Sequence, residues 1–209
     1  SLFTVFMGSL LAYREPVLKK RLAYSTVSQI SYILFGLAVM EREAFTGSML
    51  HVLAHGLIKA ALFLCAGAII FKTGKTRVEE LRGIGKEMPV LMICYTFVSL
   101  GLIGIPPTGG FISKWYLAKG ALTSAIPVFY WLGPVILLVS ALLTAGYLLP
   151  VTIQGFFPGE DYDYGALQKK EPSFFMIFPV LILTILSVVI GLFPEGVIGY
   201  LSQIIEKIV

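Results

Sequence analysis

A chain of 209 residues that is 57% hydrophobic, only 13% charged and has a mean hydropathy of +0.87 is too apolar for a soluble domain. It reads as an integral, multi-pass membrane protein, and its net charge of +4 sits mostly between apolar runs, where it bears on topology and not on nucleic acid. Cys65 and Cys94 lie inside apolar runs as small buried hydrophobes, and no disulfide framework, metal-ligand spacing, cofactor-binding motif or cleavable leader pattern is present.

In chain order, residues 1–13 form an apolar stretch too short to cross a membrane core that needs about 20 residues, so it reads as the truncated end of a longer helix. The basic connection from Arg14 to Arg21 places this end of the chain in the cytoplasm. Residues 22–40 form a full span whose first half carries Tyr24, Ser25, Thr26, Ser28, Gln29, Ser31 and Tyr32, enough hydroxyls for an interhelical seam or a wetted face. A tight acidic turn follows, and 45–71 returns as a helix about 40 Å long at about 1.5 Å per residue, implying tilt or a protruding end.

The basic loop 72–88 should again be cytoplasmic. Residues 89–124 hold two apolar stretches separated by Gly104-Ile105-Pro106-Pro107-Thr108-Gly109-Gly110, which no unbroken helix accommodates. Two arrangements are open: a hairpin of two short helices, or one helix broken near mid-membrane, the device that brings free backbone ends and a polar residue together in transporters. Further spans are predicted over 128–157 and 173–193, separated by a polar loop, and an amphipathic segment over 197–209 lies along the membrane surface or against a partner.

The chemistry concentrates on His51-Val52-Leu53-Ala54-His55-Gly56-Leu57-Ile58-Lys59. Residues four apart stack on one helix face, so His51, His55 and Lys59 make a single titratable stripe inside an apolar helix. An ionisable group at membrane depth costs roughly 2.5 to 3.5 kcal/mol, which marks it for function. Lys114, just past the break and flanked by Phe111, Ile112, Trp115 and Tyr116, is a second candidate. Lys119 sits near the end of its segment, where it can snorkel. Every acid falls in a loop or terminus, so the interior is stocked with bases, and desolvation favours the neutral amine of a buried lysine enough for proton exchange near neutral pH.

Three stretches together resemble a known family. Lys19-Lys20-Arg21-Leu22-Ala23-Tyr24-Ser25-Thr26-Val27-Ser28-Gln29 is similar to the Asp-Ile-Lys-Arg-x-Leu-Ala-Tyr-Ser-x-x-Ser-Gln motif of the antiporter-like subunits of respiratory complex I, multisubunit sodium/proton antiporters and membrane-bound hydrogenases. The stretch from His51 to Leu64 resembles the family's His-x-x-x-His-x-x-x-Lys helix, and Gly104 to Lys114 its second broken helix. Val17 stands where the motif has Asp.

The resemblance implies an all-α bundle forming the second inverted repeat of an antiporter-like fold, the C-terminal part of a subunit in a bacterial or archaeal cell membrane. It implies roles for Lys19 as an inner relay residue, for His51, His55 and Lys59 as a central hydrated axis, and for Lys114 as the exit-side carrier. It also implies other membrane subunits as partners, protons and possibly sodium as cargo, and no redox or hydrolytic site of the chain's own within a translocating oxidoreductase or an antiporter. The competing expectation is a non-transporting membrane scaffold whose polar residues only fix helix packing. A relay needs a wetted line from Lys59 to Lys114, and a scaffold needs each group capped by a protein partner.

Overall fold

The computed structural model describes residues 1–160, 162–163 and 168–205; parts of the expected polar loop before the last span, and 206–209 of the expected amphipathic segment, lie outside them. Nine α-helices run in the order α1 (Leu2–Arg14), α2 (Leu18–Val39), α3 (Arg42–Thr73), α4 (Ile84–Glu87), α5 (Pro89–Ile103), α6 (Gly109–Thr123), α7 (Pro127–Phe156), α8 (Phe174–Leu192) and α9 (Glu195–Ile205) among the described residues. Four of them, α2, α3, α7 and α8, are long and apolar enough to cross a membrane. No strand forms there beyond an isolated bridge between Val17 and Arg77.

Helix α2 starts four residues before the apolar run expected to open it. Lysine and arginine are good helix formers, so only Pro16 and the extended Val17 (φ −85°, ψ 121°) halt the chain before it. Lys19, Lys20 and Arg21 therefore ride on the first turn of a spanning helix. Bonds from Leu18 N–H to the Thr76 carbonyl (3.0 Å) and from Val78 N–H to the Pro16 carbonyl (2.9 Å) tie the two basic connections into one face. There the exposed Glu80 carboxylate accepts from the N–H groups of Arg77 and Thr76, which hold its pKa below the ordinary value.

Helix α3 is the spine. Its positions Cys65, Ile58, His51, Gly47 and Ala44 face Leu91, Gly101, Ser113, Leu117 and Gly120 in that order. Numbers fall along α3 as they rise along α5 and then α6, so both short helices run antiparallel to α3 and lie end to end. A hairpin would send α6 back along the half of α3 that α5 already covers. The stretch is therefore one discontinuous helix.

Its interruption has local causes. Gly104 closes α5 in the left-handed region (φ +95°), where a side chain is strained, and Pro106 and Pro107, joined by a cis peptide, keep the link out of helical hydrogen bonding. Thr108, in extended backbone, then stands at the N-cap position of α6, its hydroxyl donating back to the Ile105 carbonyl at 2.8 Å. The halves overlap tightly: a Cβ on Gly110 would run into the Gly101 carbonyl oxygen.

One core cluster joins the basic-side half of α3 with α5, α7 and parts of α2 and α8; a second joins α1, α2, α6 and α7 at the other end. Between α1, α2 and α7 the packing is polar: the Ser9 hydroxyl sits 2.8 Å from Ser28 Oγ and 2.6 Å from Ser140 Oγ, and Ser28 donates to the Val5 carbonyl. Such small hydroxyl residues let helices approach closely where lipid offers no partner.

Candidate functional site

Helix α3 presents His51, His55 and Lys59 on one face, at successive turns, toward α2 and the broken helix. The His51 and His55 rings stack at 6.0 Å with an interplanar angle of 8°, and Tyr32 of α2 stacks on the other side of His51 at 5.5 Å and 21°. Lys114 Nζ lies 4.9 Å from the centroid of the same Tyr32 ring, a cation–π distance. Lys59, His55 and His51 thus follow one another along α3, and Tyr32 touches both His51 and Lys114.

Each member is held by a different device. Lys59, 6% exposed, donates from Nζ to the Leu22 carbonyl (2.7 Å) and to Ser25 Oγ on α2. His51 is buried, with Nε2 donating to Gln29 Oε1 at 3.1 Å and Nδ1 lying 2.9 Å from Ser113 Oγ. The Ser113 hydroxyl is also 3.0 Å from the Gly110 carbonyl. It donates to Nδ1 when the imidazole is neutral. When Nδ1 carries a proton, the hydroxyl turns to Gly110 and accepts instead, so protonating His51 breaks no hydrogen bond.

His55 differs, because its buried Nε2 has no protein partner. Lys114 reaches back across the break and donates to the carbonyls of Leu102 (2.6 Å) and Ile103 (3.0 Å). Those carbonyls are left over at the C-terminus of α5, since the positions four residues on are Pro106 and Pro107, which have no N–H to give. An ammonium on the negative end of a helix is the favoured pairing.

Lys19 does not join this line; it is exposed on the first turn of α2, at the basic face. Two residues on, Arg21 turns inward, 9% exposed, donating from Nε to the Glu15 carbonyl (2.8 Å) and from Nη1 to the Tyr147 carbonyl (2.9 Å). Lys119 is exposed and pairs with Glu43 at 3.3 Å. Sequence reasoning missed Gln29 and Tyr32 as site residues, although Leu22, Ser25, Gln29 and Tyr32 recur at three- and four-residue steps and so share a face of α2. Ser113 and Arg21 carried no such signal. Among the described residues no group of three or more His, Cys, Asp or Glu side chains could hold a metal ion.

Chemically the line consists of bases and hydroxyls with no carboxylate in it, each able to hold a proton or hand one on through an adjoining hydroxyl or water.

Comparison with known proteins gives the context. The chain is 38% identical over 209 residues to NADH-quinone oxidoreductase subunit N of Desulforudis audaxviator, with 95% of this chain and 41% of that protein covered. It is 32% identical to F(420)H(2) dehydrogenase subunit N of Methanosarcina mazei, covering 92% of this chain and 39% of the relative. The chain thus spans about two fifths of the length of these relatives. In fold it matches a chain of the Mrp complex from a Dietzia species (TM-score 0.82, 24% identity, 94% of this chain and 44% of that one). It also matches a chain of respiratory complex I from Thermus thermophilus (TM-score 0.81, 22% identity, 99% and 43%). The family described as "NADH:quinone oxidoreductase/Mrp antiporter, TM" matches residues 1–144. With well over half its length matched, this integral membrane chain of a bacterial or archaeal membrane belongs to the NADH:quinone oxidoreductase/Mrp antiporter transmembrane family of antiporter-like subunits.

Proposed function

We propose that this chain is the proton-translocating part of an antiporter-like subunit, working with other membrane subunits in a redox-driven pump or a multisubunit cation/proton antiporter. Protons pass between Lys59 and Lys114 by way of His55 and His51. The observation that supports this most is a pair of buried nitrogens without a protein partner, His55 Nε2 on α3 and Nε2 of Gln29, the amide that holds His51. Buried polar atoms are nearly always bonded, and one that no protein group reaches is a place for water. A helix-packing device has no use for an imidazole there, whereas a relay needs an exchangeable link.

Lys59 and Lys114 act as the terminal carriers, each held on neutral oxygens that stabilise the ammonium without trapping it as a carboxylate would. His51 is the switchable middle, bonded in both protonation states. Lys19, at the basic face, exchanges with the bulk, and the outer end of the line delivers to the opposite side.

A scaffold is the second reading, favoured by the local capping of Lys59, His51 and Lys114 by protein groups. The test is proton transport by the full-length subunit in its complex, reconstituted in vesicles with Lys59→Ala or Lys114→Ala. Loss of transport at native abundance supports the relay, and normal transport by both variants leaves only the scaffold.

A further inference from the structure

At the basic face, α1, α2 and α7 part to leave a cleft of about 320 Å³ whose lining includes Tyr13, Arg14, Arg21, Glu79 and Gln154. The notch in its wall is cut by Gly146 and Pro150 of α7, and the ring of Tyr13 lies against Gly146. By the positive-inside rule this face meets the cytoplasmic leaflet, whose anionic lipids give it a negative surface potential.

The charges around the cleft favour an anion. Arg21 is nine-tenths buried, and both of its bonds go to backbone carbonyls through Nε and Nη1, so Nη2 takes part in neither. A buried guanidinium without a bonded carboxylate is an undercompensated charge. Of the nearby acids Glu15 offsets part of that charge, but neither its carboxylate nor that of Glu79 bonds the guanidinium. Glu15 accepts from the Val17 N–H at 3.1 Å, and Glu79, with its side chain 77% exposed, sits 3.8 Å from Arg77. Arg14, Lys19 and Lys20 add exposed positive charge at the same level.

The apolar surroundings favour a lipid as the source of that anion. Ser9 meets Ser140 and Tyr13 meets Gly146, so α1 and α7 run in the same direction. Deeper into the membrane their outer surfaces carry Leu11 (43% exposed), three residues before Arg14, and Leu142 (65% exposed), one turn before Gly146. Tyr13, half exposed at the rim, has the amphipathic character of an interfacial aromatic.

We propose that this cleft holds the phosphodiester headgroup of an anionic phospholipid, bound by Arg21 and Arg14, with an acyl chain lying along Leu11 and Leu142. Guanidinium groups bind phosphate oxygens through paired, charge-assisted hydrogen bonds, and a lipid adds apolar contact that free phosphate lacks. The site is independent of whether the lysine and histidine line moves protons.

The test uses the full-length subunit in its complex and a phosphatidylglycerol carrying a photoreactive group next to its phosphate, with adducts mapped by mass spectrometry. Labelling should fall on the peptides containing Tyr13 and Gln154. It should drop about fivefold in Arg14→Gln, as expected for one interfacial basic residue, and stay unchanged in Lys72→Gln, a control elsewhere on the basic face. Arg21→Gln should lose more, but Arg21 also holds the Tyr147 carbonyl, so the exposed Arg14 is the deciding position. Excess phosphatidylglycerol should compete, while phosphatidylcholine and inorganic phosphate should not. The proposal is overturned by absence of label on these peptides, by equal labelling in Arg14→Gln, or by equal competition from phosphatidylcholine, which would indicate unselective belt lipid. Equal competition from inorganic phosphate would make this a phosphate site and not a lipid site.

Discussion

The two ends of the buried line hold the same chemical group in opposite ways. Lys59 rests against an intact helix. The Leu22 carbonyl it uses is embedded in α2 and also accepts from the Ser25 and Thr26 hydroxyls. Lys114 rests on a helix end, where the carbonyls of Leu102 and Ile103 have lost their in-helix donors. At the first end the lysine is an additional donor to a satisfied acceptor. At the second it is a structural cap as well as a candidate carrier. A buried charge can therefore be nearly dispensable for folding at one position and integral to it at another, depending on whether its partners have anyone else to bond.

The largest expected effect breaks both ends alike. Lys59→Ala and Lys114→Ala should each reduce proton transport by at least about a hundredfold, the scale on which a positioned proton-transfer group contributes. Transport assays in vesicles at matched abundance check this, and retained activity in one variant would show that its end is not on the path.

Next comes the join between the halves. Gly110→Ala places a methyl against the Gly101 carbonyl, so α5 and α6 must separate, and overpacking of this kind costs about 1 to 3 kcal/mol. A lowered unfolding temperature in detergent is the expected reading. Unchanged stability would mean that α5 and α6 can part at the break without losing contacts that matter to the fold.

The contrast between the lysines is sharpened by stability itself. Lys114→Ala leaves two carbonyls uncapped and should cost about 2 kcal/mol, whereas Lys59→Ala should cost under about 1 kcal/mol because Leu22 keeps its other donors. Equal losses in thermal unfolding would remove the distinction. The smallest effects belong to the middle. His51→Ala takes the donor from Gln29 Oε1 and breaks the link to Ser113, and should slow transport about tenfold, while His55→Ala, with no protein partner at Nε2, should slow it only about twofold as water takes the place of the ring. The reverse order would mean that the bonded imidazole is the bystander.

Much of this was legible in the residues. The four-residue spacing of His51, His55 and Lys59 dictates a shared face, because helical geometry is local. The Gly-Pro-Pro-Gly-Gly interruption dictates a break, because proline has no N–H to give. Hydropathy opens α2 four residues late, since it marks only the apolar part of a helix and the lysines prolong the helix beyond it. Arg21 could not be told from Lys19 and Lys20 by composition. Which of three adjacent cations turns inward depends on the carbonyls that other segments bring to it, here from Glu15 and from Tyr147 more than a hundred residues away.

The sequence by itself determined a membrane-spanning helical chain with a titratable stripe and a lysine beside a break, since these follow from transfer energies and backbone constraints that act within a few residues. Only the tertiary structure decided that the break lies within one discontinuous helix, that Tyr32 touches both His51 and Lys114, and that Lys19 stays outside. Each of these depends on how separate helices register along α3, and that register is set by close approaches such as Gly47 to Leu117 and Gly120 to Ala44, which no local pattern encodes.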